Sequence, residues 1–136
     1  MADKIFHLEL VTPRRMVFNG EVESFTAPGV VGSFQVLHSH APLLAATGIG
    51  EVRIRDAGGG EQRYATSGGF VEVHDNKVIM LAETAERVDE IDVDRATAAR
   101  DRARKRIVER QRGIDQDRAR AALNRALNRL KIAGQD

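Results

Sequence analysis

Apolar side chains occupy every second position in several short stretches of the first 85 residues. The pattern runs over positions 6–10, 51–55 and 71–73, where polar or charged residues fill the alternate positions. Successive side chains of a strand point to opposite faces of a sheet, so each stretch predicts a half-buried β-strand. At 78–81 the apolar residues are consecutive, which predicts that a strand over 77–81 lies centrally in its sheet.

Residues that favour turns separate these stretches. They are Thr12-Pro13, Phe18-Asn19-Gly20, Ala27-Pro28-Gly29, Asp56-Ala57-Gly58-Gly59-Gly60, Ser67-Gly68-Gly69 and Asp75-Asn76-Lys77. The glycines at 58–60 are followed by neither a helical pattern nor a lysine, so they predict a hairpin tip rather than a phosphate-binding loop. Short strands at this spacing, with no helical pattern between them, predict an N-terminal antiparallel β sandwich or a barrel.

Residues 87–136 contain an internal repeat with the signals of a helix start. The segment Ile91-Asp92-Val93-Asp94-Arg95-Ala96 recurs 23 positions later as Ile114-Asp115-Gln116-Asp117-Arg118-Ala119. In each copy the first aspartate can cap the helix, the isoleucine can pack against it, and the second aspartate faces the positive end of the helix dipole. Two helices are therefore predicted to begin near Val93 and Gln116, with Gly113 and Gly134 ending them.

The two predicted helices carry narrow apolar stripes. Positions three and four apart are Ala96, Ala99, Ala103 and Ile107 on the first helix, and Ala119, Leu123, Ala126, Leu127 and Leu130 on the second. Most are alanine, whose burial contributes less than the roughly 1.5–3 kcal/mol of a leucine. The pair is predicted to form a C-terminal α-helical hairpin that is weakly held together and can close or open.

Composition changes at the same point in the chain. Ten of the twelve glycines, all five phenylalanines, the single tyrosine and all three prolines lie at or before Phe70. Residues 1–86 hold 7 basic and 11 acidic groups, a net charge of −4, whereas 87–136 hold 14 and 9, a net charge of +5. We therefore expect two domains, 1–86 and 87–136, and we expect any anionic partner to bind the second.

Several classes of protein are disfavoured. The chain has no run of 18 apolar residues, no signal-peptide pattern and no cysteine, which fits a cytosolic protein best. No nucleophile elbow, phosphate loop or close carboxylate pair is present, so catalysis is not expected. His38 and His40 could face the same side of an extended segment, but no nearby carboxylate or cysteine completes a metal-ligand set. We expect them to have a surface or turn role and expect no metal site.

Four arginines form two rows on the predicted helices. Arg95 and Arg102 are seven positions apart on the first, and Arg125 and Arg129 are four apart on the second. If the helices pack antiparallel, the rows could meet and bind a polyanion. Spacing alone favours a solvated charged face interleaved with acidic residues. Nucleic acid is a poor candidate, because nine acidic residues share this segment and it has no aromatic residue for base stacking.

The order of motifs along the whole chain is specific. In sequence these motifs are Gly32-Ser33-Phe34-Gln35-Val36-Leu37, His40-Ala41-Pro42-Leu43-Leu44, Gly48-Ile49-Gly50, Ser67-Gly68-Gly69-Phe70-Val71-Glu72-Val73 and Leu81-Ala82-Glu83-Thr84-Ala85. With the helical pair that follows, they closely resemble the epsilon subunit of bacterial F-type ATP synthase over essentially the full length. At Ser33, Gln35 and His38-Ser39 the chain departs from that family, whose members often carry an acidic residue, Leu-Gly and Pro-Gly there. The missing carboxylate and glycine change the charge and backbone freedom of the rotor-facing contact.

The resemblance implies a fold, a set of partners and a location. It implies a ten-stranded β sandwich bound to the gamma subunit and the ring of c subunits, in a non-catalytic central-stalk subunit of a proton-translocating enzyme. The helices would fold back on the sandwich or extend to the alpha and beta subunits and inhibit ATP hydrolysis. The protein would lie peripherally at the cytoplasmic face of the cell inner membrane, as part of the complex and without inserting into the membrane.

The resemblance also implies a regulatory nucleotide. Some members bind ATP between the folded helices through an Ile/Leu-Asp-x-x-Arg-Ala motif, which residues 91–96 match in full. The implied ligand set is Glu86, Ile91, Asp92, Arg95, Ala96, Arg102, Arg125 and Arg129, and no further carboxylate cluster calls for Mg²⁺. The second copy at Ile114 shows that the same motif also arises as a helix cap. The alternative functions are a free-standing ATP-sensing protein and, against the missing catalytic groups, an enzyme of unknown type.

Overall fold

The computed structural model describes residues 4–109, 113 and 115–134. The strands are β1 (Phe6–Val11), β2 (Met16–Gly29), β3 (Gly32–Val36), β4 (Leu43–Thr47), β5 (Gly50–Asp56), β6 (Glu61–His74) and β7 (Lys77–Arg87). A 3-10 turn at Val88–Glu90 precedes α1 (Val93–Glu109) and α2 (Gln116–Ile132). The chain divides into two compact units, Met1–Arg87 and Val88–Asp136, which we call the head and the arm. A β domain followed by a helical pair confirms the predicted fold class.

The strands of the head form one sheet that closes on itself. Neighbouring strands follow the order β1-β7-β6-β4-β2-β3, while β5 pairs with β2 and β6, and β1 also pairs with β2. Every pair is antiparallel except β1 with β7, which run parallel with His7 opposite Lys77. This pair departs from the antiparallel arrangement expected throughout, because closing the sheet places the first strand beside the last.

Three long strands serve both layers of the sandwich. β2 and β6 each have 14 residues and β7 has 11. The first half of β6 pairs with β5 and its second half pairs with β4. Residues 4–109 therefore contain seven strands rather than the ten that the resemblance implied. For the same reason positions 18–20, 27–29 and 67–69, predicted as turns, lie inside strands.

The bend of β6 depends on two consecutive glycines. Gly68 and Gly69 have φ values of +42° and +142°, in the region that side chains rarely adopt. A Cβ added to Gly69 would lie 1.8 Å from the carbonyl oxygen of Leu81 on β7. Only glycine lets the two backbones approach this closely while the strand turns from one layer into the other.

The core of the head lies between the two layers. Phe6, Leu8 and Leu10 on β1 are buried, as their alternation predicted. The core also contains Val22, Phe25, Ala27, Val36, Val52, Ile54, Tyr64, Val71, Val73, Val78, Met80 and Ala82. Burial of each large apolar side chain stabilises the fold by roughly 1.5–3 kcal/mol. β7 bonds to strands on both sides, which confirms its central position.

The two helices of the arm start alike. The N–H of Arg95 donates to Oδ1 of Asp92 at 3.0 Å, and the N–H of Arg118 donates to Oδ1 of Asp115 at 3.1 Å. Both predicted caps are confirmed. Gly113 and Gly134 adopt φ values of +83° and +82°, which helix-ending glycines require.

α1 and α2 bury small residues for the most part. The buried positions are Ala96 and Ala103 on α1, and Ala119, Ala126, Leu130 and Ile132 on α2. Leu127 is 37% exposed and so lies outside the stripe predicted for it. In the described part of the chain, no helix is long and apolar enough to cross a membrane.

Candidate functional site

The first turn of α1 contains the motif that predicted a nucleotide site. Asp92 is exposed and its carboxylate caps the helix through the N–H of Arg95. Ile91 is half-buried, and the side chain of Ala96 is fully buried. The N–H of Ala96 donates to the carbonyl oxygen of Asp92 at 3.0 Å, so the backbone here is already helical. What this turn presents to solvent is therefore a capped helix start with one guanidinium group, that of Arg95.

The remaining arginines of the predicted set lie further along both helices. Arg102 follows Arg95 by seven residues, about 10 Å along the helix axis at 1.5 Å per residue, and its side chain is exposed. On α2, Arg125 is exposed and Arg129 is half-buried one turn later. Each helix thus presents a pair of guanidinium groups on one of its faces.

Some arm cations have carboxylate partners and others do not. Arg100 pairs with Asp101 at 3.0 Å, and Arg120 pairs with Asp117 at 3.4 Å. Among the residues that the structure describes, no ion pair engages the side chains of Arg95, Arg102 or Arg125. A guanidinium without a partner is well suited to bind a carboxylate or phosphate of another molecule, because two parallel hydrogen bonds can form.

Glu86 belongs to the other unit of the structure. It lies near the end of β7 in the head, opposite Ala65 of β6, and is half-buried. Ile91, Asp92, Arg95 and Ala96 therefore lie around the start of α1, whereas Glu86 is carried by a strand of the sandwich. The eight-residue ligand set as a whole stays a prediction.

The histidines of the head occupy the loop between β3 and β4. Ser39, between His38 and His40, has a φ of +58°, and Nδ1 of His40 lies 2.6 Å from the carbonyl oxygen of Ala41. In the described ranges, no group of three or more His, Cys, Asp or Glu side chains could hold a metal ion.

One outer face of the sandwich is polar and internally paired. Nη2 of Arg63 donates to Oε2 of Glu51 at 2.6 Å, and Nε of Arg53 donates to Oε1 of the same carboxylate. Burial alone would raise the pKa of Glu51, but the hydrogen bonds and positive charges of Arg63 and Arg53 outweigh burial and lower this pKa. Arg55 and Glu61 form a looser pair at 3.8 Å on the same face. These charges largely satisfy one another.

The opposite outer face carries an apolar row that the sequence pattern did not reveal. In register across β4, β6, β7, β1 and β2 lie Ala46, Phe70, Leu81, Val11 and Met16. We call these five residues the apolar row. Phe70 and Leu81 are 55% and 53% exposed. Their strand neighbours Val71, Met80 and Ala82 are buried, but only the cross-strand register shows that Phe70 and Leu81 stand side by side in water.

Comparisons with known proteins match both units of the chain. The family described as ATP synthase, Delta/Epsilon chain, beta-sandwich domain, matches residues 5–88. The family described as ATP synthase, Delta/Epsilon chain, long alpha-helix domain, matches residues 89–134.

Full-length relatives and solved structures agree with these matches. The ATP synthase epsilon chain of Pelotomaculum thermopropionicum is 54% identical over 135 residues, which cover 99% of this chain and 100% of the relative. The epsilon chain of Moorella thermoacetica is 49% identical over 128 residues, covering 94% and 96%.

A chain from the Euglena gracilis mitochondrial ATP synthase, in a structure of OSCP, F1 and the c-ring, superposes with a TM-score of 0.82 at 23% identity, covering 94% of this chain and 80% of that one. A chain from the Tetrahymena thermophila central stalk and c-ring gives 0.60 at 18% identity, covering 93% and 95%. At these identities the two structures show the fold.

Proposed function

The chain belongs to the delta/epsilon chain family of ATP synthase, and on that premise we propose that its head couples the gamma subunit to the c ring while its arm regulates ATP hydrolysis. It is a non-catalytic subunit of the central stalk. In this proposal it sits peripherally at the cytoplasmic face of the cell inner membrane, held there by the rest of the complex.

One observation favours a rotor subunit over a free-standing ATP sensor. Phe70 and Leu81 lie in register on neighbouring strands with more than half of each residue exposed. Water-exposed apolar residues in contiguous rows mark surfaces that bind another protein. A sensor that acts alone has no use for such a surface, whereas a subunit held in a stalk needs one.

Regulation by the arm is supported by its weak packing and its charge. Of the six buried positions described on α1 and α2, four are alanine, whose methyl groups contribute about 0.8 kcal/mol each when buried. The segment 87–136 carries a net charge of +5, which opposes its compaction and favours an anionic partner. The arm is therefore suited to exchange between a closed hairpin and an extended form that reaches the alpha and beta subunits.

ATP is proposed as the ligand that holds the arm closed. Arg95 and Arg102 on α1 and Arg125 and Arg129 on α2 would surround the phosphates. Ile91 would offer the base an apolar contact and Ala96 a backbone contact, Glu86 would accept from its polar edge, and Asp92 would act through the helix cap. A ligand specific for the closed state stabilises that state by about 2.7 kcal/mol at 100 times its dissociation constant. This is enough to keep closed an arm whose own helix–helix interface is weak. No carboxylate cluster in this proposed ligand set calls for Mg²⁺.

The function is tested by removing the arm from a reconstituted enzyme. The head has its own closed sheet and core, so residues 1–87 should fold alone and still join the complex. We expect the truncated chain to co-purify with gamma and to raise the rate of ATP hydrolysis relative to the full chain. Unchanged hydrolysis in a fully assembled complex would assign the arm another role, and loss of gamma binding would contradict the role of the head.

A further inference from the structure

The internal repeat of the arm extends to its arginines and to its buried alanines. Three arginines of α1 each have an equivalent on α2, 23 positions later: Arg95 and Arg118, Arg102 and Arg125, and Arg106 and Arg129. Four buried alanines follow the same spacing: Ala96 and Ala119, and Ala103 and Ala126. The two helices are therefore equivalent both in the small residues that pack between them and in the arginines beside those residues.

The six arginines lie on one side of the hairpin, and we call them the arginine face. Within each helix, spacings of seven and eleven positions place the three arginines within about 40° of one another at 3.6 residues per turn. Nε2 of Gln116, at the start of α2, donates to the carbonyl oxygen of Arg106 near the end of α1 at 3.3 Å, as antiparallel helices allow. Two equivalent antiparallel helices are related by a two-fold axis normal to the plane that contains both helix axes. Such an axis keeps equivalent rows on the same side of that plane.

The arginine face has three levels along the hairpin. Antiparallel packing places Arg95 level with Arg129 at one end and Arg106 level with Arg118 at the other, with the remaining pair between them. From the first level to the third the face runs eleven residues, about 16 Å at 1.5 Å per residue. The third level, Arg106 and Arg118, lies beyond the four arginines proposed to bind ATP.

The charge of the third level is uncompensated. Arg106 and Arg118 are exposed, and among the residues that the structure describes no ion pair engages either side chain. Three carboxylates of the helices lie about 100–120° around their helix from the arginines, namely those of Asp94, Asp101 and Asp117. The carboxylate of Glu109 is nearer, and it lies 3.9 Å from Nζ of Lys105. Neighbouring guanidinium groups therefore repel one another, which a continuous anion would relieve.

We propose that the arginine face binds linear inorganic polyphosphate, with the chain running along the hairpin and contacting all three levels. Polyphosphate has a negative charge on every unit, and a guanidinium group can form two parallel hydrogen bonds to phosphate oxygens. Single-stranded nucleic acid fits less well, because residues 87–136 contain no aromatic side chain on which a base could stack. The inference goes beyond the proposed nucleotide, since it depends on Arg106 and Arg118 and does not require ATP to bind. A chain that contacts both helices would also hold the hairpin closed.

Calorimetric titration of the full chain tests this ligand. The probes are tripolyphosphate and a size-fractionated linear polyphosphate just long enough to span the three levels. We expect the longer chain to bind about tenfold tighter or more, because it can contact more guanidinium groups at once. The double variant Arg106→Ala, Arg118→Ala should lose about tenfold or more in affinity for the longer chain and less than about threefold for tripolyphosphate.

The arm offers a charge-matched control. Arg104→Ala with Arg120→Ala also removes two exposed arginines, one from each helix, on the sides turned away from the arginine face. This control should lose less than about threefold in affinity for the longer chain. Equal unfolding temperatures of the two double variants would show that neither change disrupts the arm.

Salt dependence counts the contacts. For a single-stranded polyanion the logarithm of the binding constant falls with the logarithm of salt concentration by about 0.7 for each phosphate contacted. Six contacts give a slope of about −4, and the loss of Arg106 and Arg118 should reduce it to about −3. The control variant should keep the slope of the unmodified chain.

The outcomes distinguish this ligand from the proposed nucleotide. Equal losses in the two double variants would mean that only net charge matters, and equal affinity for single-stranded RNA with the same number of phosphates would mean a general polyanion surface. Either result overturns the inference. If ATP binds but the longer polyphosphate binds no tighter than tripolyphosphate, the nucleotide proposal stands and this one fails. If polyphosphate binds through Arg106 and Arg118 while ATP does not bind, the reverse holds.

Discussion

The backbone N–H of Ser39 donates a 2.8 Å hydrogen bond to Oδ1 of Asn76, 37 residues later in the chain. Nδ2 of the same amide donates to the carbonyl oxygen of Ile5 at 2.9 Å. One side chain thus joins the start of β1, the loop between β3 and β4, and the turn between β6 and β7. Asn76 has a φ of +59°, which asparagine tolerates better than most residues, so its backbone and its side chain are both suited to this place.

Replacing Asn76 with alanine should destabilise the head by about 2–3 kcal/mol. The change removes two hydrogen bonds worth about 1 kcal/mol each and places alanine in the left-handed region at a cost of about 1 kcal/mol. Urea unfolding measures the loss. Asp75→Ala is the control, since Asp75 also has a positive φ, +50°, and among the described residues its side chain pairs with the neighbouring His74 rather than across the loops. Equal losses in the two variants would show that only backbone strain matters.

Alanine at Gly69 should prevent the head from folding normally. The new methyl group would meet the backbone of β7 at Leu81, where neither strand can yield without breaking the sheet, and we expect a loss of more than about 4 kcal/mol. Soluble expression and thermal unfolding report the result. Gly59 also has a positive φ, +84°, but lies in open space, so Gly59→Ala should cost only about 1 kcal/mol. A well-folded Gly69→Ala variant would mean that the bend can relax.

The network around Glu51 should make the head less stable in acid. Because Arg63 and Arg53 lower the pKa of Glu51 in the folded state, its ionised form stabilises the head above the unfolded value near 4.5, and this contribution is lost as pH falls through the lowered pKa. Glu51→Gln should therefore lower the unfolding temperature at pH 7, and the gap to the parent chain should narrow toward pH 3. Solvent screening limits the effect to about 1 kcal/mol. A gap that does not change with pH would assign the effect to packing.

Calorimetric titration with ATP tests the proposed nucleotide ligand. We expect the full chain to bind ATP and the double variant Arg102→Ala, Arg129→Ala to lose binding at least tenfold, since each charged hydrogen bond to phosphate contributes roughly 1.5–3 kcal/mol. Arg104→Ala is the matched control, because Arg104 is an exposed arginine of α1 outside the predicted set. If titration to millimolar ATP gives no heat, or the double variant binds equally well, the ATP site is wrong. These arginines would then form a solvated or subunit-facing surface.

Local physics made parts of the structure predictable. The alternation of Phe6, Leu8 and Leu10 identified a core strand, because period two follows from strand geometry alone. Asp92 and Asp115 were predicted as caps because a helix start needs a nearby acceptor, and both act as caps. The shared cap also explains why the motif at 91–96 cannot by itself distinguish a nucleotide site from a helix start.

Other features of the head depend on pairing between strands that are far apart in the sequence, so local patterns did not predict them. Ser67-Gly68-Gly69 has the composition of a turn, yet pairing with β7 on one side carries the strand through it. The apolar row depends on which residue of β7 stands beside Phe70, and this register is set by the whole sheet rather than by any local pattern. Leu81 therefore looked like a core residue in the sequence and is exposed in the structure.

The parallel pairing of β1 with β7 fixes when the head can be completed on the ribosome. β1 cannot pair with both of its neighbours until Val78, the partner of Leu8 and 70 residues later in the chain, has been synthesised. Until β7 has emerged, β1 has one unpaired edge and the core one open side, a state in which nascent chains aggregate or recruit chaperones. The arm is synthesised last, so it is added to a head that has only just become able to close.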